Sequence, residues 1–426
     1  MQHDDPHYIN FLAVLNEELV PAMGCTEPVA IAYAAAKARE ALGQTPDRVL
    51  VEVSGNIVKN VKSVVVPNTG GLKGIKAAAA AGIVAGDAGK KLEVIAGARK
   101  EQQREIADFL QNTPIEVKMA DTERVLEIAL AVHAGKSHAR VRIINTHTNI
   151  VSIEKDGNSL FKAEEQPEQN GETDRTMLDV EAIIDFAGTV RIDDVRELIE
   201  RQIAYNSAIS AEGLAGDYGA NIGKVLRKNY GDDIKTRAKA AAAAGSDARM
   251  SGCGMPVIIL SGSGNQGMAA SLPVIEYAAH LGKNREELIR AVTLSDLIAI
   301  HLKTGIGRLS AYCGVVCAGA AAGAGIAYLQ GGRLEEVSHT LVNALAVTSG
   351  IVCDGAKPSC AAKIAVSTDA GILGYEMFKN GQQFYGGDGI IAKGVENAIK
   401  NISRLGREGM KKTDREIIQI MLNETE

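Results

Sequence analysis

Residues 312–319 read YCGVVCAG and residues 350–360 read GIVCDGAKPSC, and these two segments carry four of the six cysteines in the chain. Cys313 and Cys317 are spaced so that they would share one face of a helix. Cys353 and Cys360 instead enclose a Gly- and Pro-containing segment, which favours a loop. Thiols on a helix and on a loop can converge as ligands of zinc or of an iron–sulfur cluster, which spacing alone does not separate. We expect ligation by Cys313, Cys353 and Cys360, and interpret Cys317 as a small buried hydrophobe.

Five motifs follow one another in a fixed order along the chain. They are GCTEP (24–28), SDARM (246–250), SGSGNQG (261–267), RLSAYC (308–313) and CDGAKPSC (353–360). Together they resemble the L-cysteine desulfidase family, which is related to the iron–sulfur L-serine dehydratases, and the resemblance runs nearly from end to end.

The resemblance implies a cofactor and a set of site residues. It implies a [4Fe–4S] cluster held by Cys313, Cys353 and Cys360, with one iron left open to the substrate. It also implies that Cys25, in GCTEP, lies at the active site as the catalytic residue. The two other cysteines match no ligand position of the family, so we interpret them as structural.

The composition indicates a globular protein with a core of small and aliphatic residues. A length of 426 residues exceeds one ordinary core and predicts two domains. Hydrophobic residues make up 46% of the chain but aromatic residues only 4%, with no Trp, which favours closely packed helices. A net charge of −6 without a Lys/Arg cluster provides no field for a polyanion, so nucleic acid is not an expected partner.

The N-terminal residues MQHDDPHYIN are polar and acidic, unlike a signal peptide, which predicts a cytoplasmic protein. Its cysteines are then expected as thiols or ligands rather than disulfides. The uncharged run Leu309–Gln330 is rich in Ala and Gly, which predicts a tightly packed interior helix rather than a membrane span. We expect an amino-acid substrate as partner and no membrane; a homo-oligomer is compatible with the sequence, which leaves its size open.

The GCTEP motif follows an amphipathic helix predicted over Tyr8–Pro21. Pro28 suits the first turn of a second helix, predicted over Val29–Leu42, so Cys25 and Thr26 lie at or just before a helix N-terminus. Because unpaired amides there favour an anion, the thiol of Cys25 is expected to ionise more easily, and Thr26 is a candidate substrate ligand. The alternative is an inert buried cysteine beside a capping threonine.

Period-two alternation begins at Arg48 and predicts a strand through Val53, with a second strand over Val61–Val66. A polar, glycine-containing loop follows each strand, and such loops can turn amides and small side chains toward a ligand. Ordinary turn chemistry explains each loop equally well. The candidate substrate-binding residues in the two loops are Ser54, Asn56, Asn68, Thr69 and Gly70.

The next segments predict a helix over 72–85, a strand over 92–96 and a charged helix over 100–111. Strands are then expected from Ile115 to Phe161, with hairpin turns at 135–136 and 156–157. A lone histidine on a strand is usually structural. His147, in the segment His-Thr-Asn, is nevertheless a candidate substrate-binding residue because that segment also resembles the family.

Residues 163–174, AEEQPEQNGETD, are acidic and polar and predict a linker. Beyond them the alternation nearly disappears and helical patterns continue, at 178–186, 195–211, 234–244, 268–280, 285–302, 334–345 and 414–422. The predicted fold is therefore an α+β N-terminal domain (1–162), a linker (163–176) and an all-α C-terminal domain (177–426), which the resemblance makes serine dehydratase-like.

The segment Gly262–Gly267 fits the dinucleotide-binding pattern G-x-G-x-x-G and follows an apolar run. A dinucleotide site also needs a strand–helix–strand unit and an acidic ribose ligand, whereas helices follow here. We therefore interpret the segment as an amide-rich loop for a smaller anion, an amino-acid carboxylate. Its candidate substrate-binding residues are Ser263, Gly264, Asn265 and Gln266.

The activity that the resemblance implies is β-elimination of L-cysteine to pyruvate, ammonia and sulfide. An open iron would act as a Lewis acid and Cys25 as the base. L-Serine dehydration on the same scaffold is the nearest alternative. A pyridoxal-phosphate lyase could use Lys303 or Lys357 for the Schiff base, but no phosphate-binding motif accompanies either lysine in the sequence. A non-enzymatic redox or amino-acid sensor is a further alternative.

Overall fold

The fold is described by a computed structural model for residues 1–165 and 173–423. Its N-terminal part mixes helices with strands, as predicted. The elements are α1 (Pro6–Glu18), β1 (Pro21–Met23), α2 (Thr26–Leu42), β2 (Arg48–Val53), α3 (Gly55–Val61), α4 (Gly74–Ala85), a 3-10 helix (Ala88–Glu93), α5 (Lys100–Asn112), β3 (Ile115–Met119), β4 (Glu127–Ala134), β5 (Ser137–Ile144), β6 (Ile150–Lys155) and β7 (Asn158–Lys162).

Six of these strands form one sheet in the order β3-β2-β4-β5-β6-β7, antiparallel except for the parallel pair β2–β3. The alternation in β2 buries Val49, Val51 and Val53, as expected of a strand with one side facing the core. Helix α2 packs against β4, β5 and α4. A Cβ atom on Gly82 of α4 would lie 2.1 Å from the carbonyl oxygen of Ala32, so the two helices approach backbone to backbone.

Two predicted strands are wrong. Residues 61–66 begin at the end of α3 and continue as a turn with one isolated bridge, from Val65 to Lys73. Residues 92–96 belong to the 3-10 helix and the turns after it. Most of their apolar side chains are buried in the core although the segments do not pair as strands, so burial alone explains the pattern. The hairpins at 135–136 and 156–157 are confirmed, between β4 and β5 and between β6 and β7.

The C-terminal part is helical, as predicted, apart from one short strand. Its elements are α6 (Val180–Thr189), α7 (Ile192–Ala215), α8 (Ile222–Tyr230), α9 (Ile234–Met250), β8 (Pro256–Ile258), α10 (Gly264–His280), α11 (Arg285–Ile306), α12 (Gly314–Leu329), α13 (Leu334–Thr348), α14 (Ser359–Lys379), α15 (Val395–Arg404), a π turn (Leu405–Gly409) and α16 (Lys411–Asn423). Strand β8 pairs with β1, so the strictly all-α description is corrected.

Helix α12 lies at the centre of the helical part, against α10, α11, α13 and α14. Its glycines permit this packing, since a Cβ atom on Gly323 would lie 2.4 Å from the carbonyl oxygen of Gly371 in α14. The prediction of an interior helix for this Ala/Gly-rich run is confirmed. Within the described residues, no helix has both the length and the apolar character to cross a membrane.

The two parts meet over a wide contact. Besides the β1–β8 pair, α1 packs against α6, α7 and α11, and α16 packs against α3. Asp414 of α16 forms an ion pair with the buried Lys59 of α3. Residues 166–172, most of the predicted linker, lie outside the described residues, and the division into two domains stays a prediction.

Candidate active site

One buried cavity of about 100 Å³ brings together side chains from both parts of the chain. Cys25 reaches it from the N-terminal part and Cys313, Cys353 and Cys360 from the helical part. Cys317, one turn beyond Cys313, lies in the hydrophobic core, and so does Cys253.

Four helices begin at this cavity. Cys25 is the N-cap of α2, Ser263 of α10 and Cys313 of α12, while Cys360 is the second residue of α14. None of the three N-cap side chains makes a capping hydrogen bond. Helix N-termini carry free amides and partial positive charge, so this arrangement favours thiolates and other anions in the cavity.

Two buried cations complete the electrostatic pattern. Arg249 and Lys303 both line the cavity, at 2% and 3% exposure, and lie in the last turns of α9 and α11. The C-terminal end of a helix favours a cation, so helix ends at the cavity favour both the cations Arg249 and Lys303 and thiolates at the helix N-termini. Burial lowers the pKa of both groups, and the neighbouring cysteines oppose that shift.

The backbone brings two of the predicted ligands together. The amide of Cys313 donates to the carbonyl of Ile351 at 3.1 Å, and the amide of Cys353 donates to the carbonyl of Ala311 at 2.6 Å. A short antiparallel bridge therefore holds the start of α12 beside the loop before α14. Burial first, and then the neighbouring Cys353, raise the pKa of the Cys313 thiol to about 12.

The loop that carries Cys353 and leads into α14 is fixed from two sides. Lys357 of the loop and Lys363 of α14 both form ion pairs with Asp354 of the loop. From the other side, Gly355 has a φ of +93°, and a Cβ atom there would lie 2.2 Å from the carbonyl oxygen of Lys59 in α3. Only glycine allows so close an approach at that backbone conformation, so the N-terminal part helps to set the position of the cysteine loop.

Three of the predicted ligands lie together. Cys313, Cys353 and Cys360 line one cavity and lie close enough to influence one another's ionisation. Across residues 1–165 and 173–423, no three His, Cys, Asp or Glu side chains are arranged to hold a single metal ion. Three thiols on one cavity match the number of protein ligands of an iron–sulfur cluster with one open iron, and these would be the residues that hold it.

Cys25 belongs to a buried network centred on Glu27. Its Sγ donates to Oε2 of Glu27 at 3.0 Å, and Nδ2 of Asn60 donates to Oε1 at 3.1 Å. Nε2 of His147 lies 3.6 Å from the same Oε1 atom. Although burial opposes ionisation, His147 and then Cys25 stabilise the carboxylate and lower the pKa of Glu27 to about 2.

The expectation that Cys25 ionises easily is wrong for this structure. Burial, and next the negative charge of Glu27, raise the pKa of the Cys25 thiol well above its ordinary value. The predicted N-terminal position on α2 is confirmed, but desolvation outweighs the helix end and the nearby Arg249. Cys25 therefore rests as a thiol that donates to Glu27.

The candidate substrate residues divide into two groups. Thr26, Ser263, Asn265 and Gln266 line the cavity, and Gly264 lies against Arg249 beside it. The hydroxyl of Thr26 donates to the carbonyl of Gly262 at 2.8 Å, which ties α2 to the loop before α10. The remaining candidates are not among the cavity-lining residues: Ser54, Asn56, Asn68, Thr69, Gly70 and His147.

These remaining candidates bond to other parts of the protein. Ser54 donates to the carbonyl of Val125, and Asn56 bonds to Asp414 of α16. Asn68 and Thr69 donate to backbone carbonyls of Ile95 and Val66. Gly70 has a φ of +73°, and a Cβ atom there would lie 3.4 Å from Oε1 of Gln103. Nε2 of His147 lies 3.6 Å from Oε1 of Glu27. The first predicted loop is in fact the start of α3, whose later residue Asn60 lines the cavity instead.

Sequence reasoning missed Arg249, Glu27 and Asn60, and it considered Lys303 only as a Schiff-base lysine. Two signals were present. Glu27 and Arg249 belong to the GCTEP and SDARM motifs, and Lys303 follows the apolar run LIAIHL in α11. A charged side chain inside an apolar or small-residue helix is rarely buried without a partner or a function.

The protein combines a mixed α/β part with a helical part, and four cysteines line the cavity where the two parts meet. Comparison with known proteins shows which family the chain belongs to. A family model described as serine dehydratase alpha chain matches residues 89–419, more than half of the chain. The chain belongs to this family, which is related to the iron–sulfur serine dehydratases.

Relatives match over nearly the whole length of the chain. A UPF0597 protein of Desulfitobacterium hafniense is 61% identical, covering 100% of this chain and 99% of the relative. A UPF0597 protein of Lachnoclostridium phytofermentans is 51% identical, covering 98% of this chain and 100% of the relative. One of Treponema denticola is 46% identical and covers 100% of both. Family membership implies lyase chemistry in general and an iron–sulfur cluster.

Proposed function

We propose that the protein is a [4Fe–4S]-dependent L-cysteine desulfidase, which converts L-cysteine and water to pyruvate, ammonium and hydrogen sulfide. One observation carries the proposal. Cys25, from an N-terminal motif, lines the same small cavity as Cys313, Cys353 and Cys360, which lie nearly 300 residues or more away in sequence. Such convergence supports a shared chemical task for the four thiols.

Cys313, Cys353 and Cys360 would hold the cluster. When bound, a cluster with three protein ligands supplies a Lewis acid for the leaving sulfur. The helix N-termini at α12 and α14 and the buried ammonium of Lys303 favour the ionised thiols that such ligation requires. In this proposal Lys303 is a counter-ion of Cys353 and Cys313, although the core thiol of Cys317 acts on its pKa more strongly.

Cys25 is proposed to accept the α-proton of the substrate. Its thiol proton must leave first, and it is lost to solvent as the pH rises, because the carboxylate of Glu27 that accepts the thiol hydrogen bond has a pKa of about 2. Arg249 favours the thiolate once it forms, because its positive charge opposes the rise in the pKa of Cys25. His147 and Asn60 position Glu27, and Thr26 positions the loop at Gly262.

The rest of the reaction needs little from the protein. Loss of the α-proton and of the sulfur forms the carbon–carbon double bond of aminoacrylate. This product tautomerises to an imine, which water hydrolyses to pyruvate and ammonium without a catalyst. A second cavity, of about 390 Å³, shares Arg308, Leu309 and Ser310 with the active-site cavity and is the proposed route for substrate and products.

L-Serine dehydration is the second candidate function, and the description of the matching family favours it. A hydroxyl group would then leave in place of the sulfur, with the same residues in the same roles. The two substrates differ only in the leaving group, so the same cavity of about 100 Å³ would serve either.

The deciding experiment compares both substrates on anaerobically purified protein whose iron and acid-labile sulfide have been quantified. The proposal predicts a kcat/KM for L-cysteine at least tenfold above that for L-serine. A preference for L-serine would establish the dehydratase instead. No turnover of either substrate with an intact cluster would favour a sensor and contradict both enzymatic functions.

A further inference from the structure

Arg249 is a buried cation that lies near the carboxylate of Glu27 but forms no ion pair with it. Its side chain is 2% exposed, and its Nε atom has no hydrogen-bond partner. Among the described residues, no carboxylate lies within ion-pair distance of its guanidinium. Glu27, the buried carboxylate nearby, is already bonded to Cys25, Thr26 and Asn60. Because buried charges in proteins are almost always paired, a guanidinium that lines a cavity calls for an anionic ligand there.

The position of Arg249 indicates which end of the cavity that anion would occupy. A Cβ atom on Gly264 would lie 2.5 Å from Nε of Arg249, so the guanidinium rests on the first turn of α10. The N-cap of that helix, Ser263, makes no capping bond through its side chain. A guanidinium and the free amides of a helix N-terminus thus face the same place, and both are donors that match a carboxylate.

Two acceptors lie beside these donors. Asn265 and Gln266, in the first turn of α10, are 6% and 4% exposed, and Oδ1 and Oε1 have no hydrogen-bond partner. Both side chains line the cavity. A buried carboxamide oxygen without a donor is costly, and an ammonium group supplies three donors. Gln266 is held in place by its packing on Gly314, where a Cβ atom would lie 2.5 Å from Cδ.

We propose that Arg249 and the first turn of α10 bind the zwitterionic headgroup of an α-amino acid, with the carboxylate on Arg249 and the ammonium on Asn265 and Gln266. This inference rests on the proposed function and names the residues that would bind the headgroup of its substrate. Lys303 plays a different role, since its electrostatic neighbours are Cys313, Cys317 and Cys353.

The test measures binding without turnover. L-Alanine has the headgroup but no leaving group, L-alaninamide lacks the carboxylate, and propionate lacks the ammonium. Calorimetry on the anaerobic, cluster-loaded protein should show L-alanine binding roughly tenfold to a hundredfold more tightly than either analogue, the range expected for lost bonds to a charged group. Equal binding of L-alanine and L-alaninamide, or no binding of L-alanine, would overturn the proposal.

Variants separate this role from a structural one. Arg249→Gln should weaken L-alanine binding roughly tenfold to a hundredfold while the iron content stays unchanged. Arg249→Lys should recover part of the lost affinity. Arg237→Gln, the same change on an outer face of α9, should bind L-alanine like the parent protein. If Arg249→Gln does not fold, the comparison of L-alanine, L-alaninamide and propionate on the parent protein still tests the proposal. Headgroup binding as expected, without turnover of cysteine, would refute the proposed function and leave this subsite standing.

Discussion

Sγ of Cys25 lies 3.0 Å from Oε2 of Glu27, and the thiol donates to the carboxylate in a fully buried site. The pKa values of the two groups shift in opposite directions. The pKa of Glu27 falls to about 2, whereas that of Cys25 rises well above its ordinary value. The resting pair is therefore thiol and carboxylate, and any role of Cys25 as a base depends on removing its proton.

That dependence predicts an alkaline limb in the pH profile. Because a base acts only when unprotonated and the pKa of Cys25 is raised, kcat should increase about tenfold per pH unit from neutral pH upward. Glu27→Gln removes the negative charge beside the thiol and should shift the limb to lower pH. The substrate's own thiol also titrates, but it would not respond to Glu27→Gln, so an unshifted or flat profile contradicts the assignment.

Replacing Cys25 should separate catalysis from cluster binding. Cys25→Ser leaves Cys313, Cys353 and Cys360 untouched, so iron content and cysteine binding should persist. Turnover should fall by about 10²–10⁴-fold, the usual contribution of a general base, since a serine hydroxyl is barely ionised. Exchange of the α-proton with solvent should fall in parallel. Loss of the cluster, or near-normal turnover, would make His147 the next residue to test.

The cysteine assignments predict which variants lose iron. Alanine at Cys313, Cys353 or Cys360 should abolish the cluster, measured as iron and acid-labile sulfide after anaerobic purification. Cys317→Ala is the matched control, since that thiol lies in the core one turn beyond Cys313. It should retain the cluster, with a modest loss of stability from the cavity it creates. Iron retained in all three ligand variants would refute the assignment.

Gly355 tests whether α3 sets the position of the cysteine loop. Gly355→Ala places a Cβ atom against the backbone of Lys59 at a φ of +93°, and should destabilise the fold by about 2–4 kcal/mol and reduce iron incorporation. Gly350→Ala, in the same connection between α13 and α14, meets nothing within 4 Å and should behave like the parent protein. Denaturant unfolding and iron analysis of both variants would decide, and equal behaviour would show that the contact is dispensable.

Periodic patterns made much of the fold predictable. Alternation in β2 and helical spacing in α7 each arise from one buried face, which the sequence records directly. The prediction of a strand over residues 61–66 was wrong because a short β-branched run is equally apolar in a strand and in a buried turn. Helix α14 was not predicted, because its small residues contact α12 on one side and α13 on the other and so blur the pattern.

The site was predictable only where motifs carried it. The cysteines that line the cavity were identified through motifs, whereas Arg249 and Lys303 depend on where α9 and α11 end in space. The local sequence also predicted the wrong direction for the pKa shift of Cys25. A helix N-terminus is a local feature, but much of the burial that opposes it comes from Met250 at the end of α9 and from Ala356 and Cys360, more than 200 residues further along the chain.

The most direct test of the central claim is the sulfide, pyruvate and ammonium released from L-cysteine in one anaerobic reaction, before and after the iron is removed with a chelator. The account predicts equal amounts of the three products from the cluster-loaded protein, and none above background once the iron is gone. Products formed at an undiminished rate by iron-free protein, or no products from protein with an intact cluster, would contradict it.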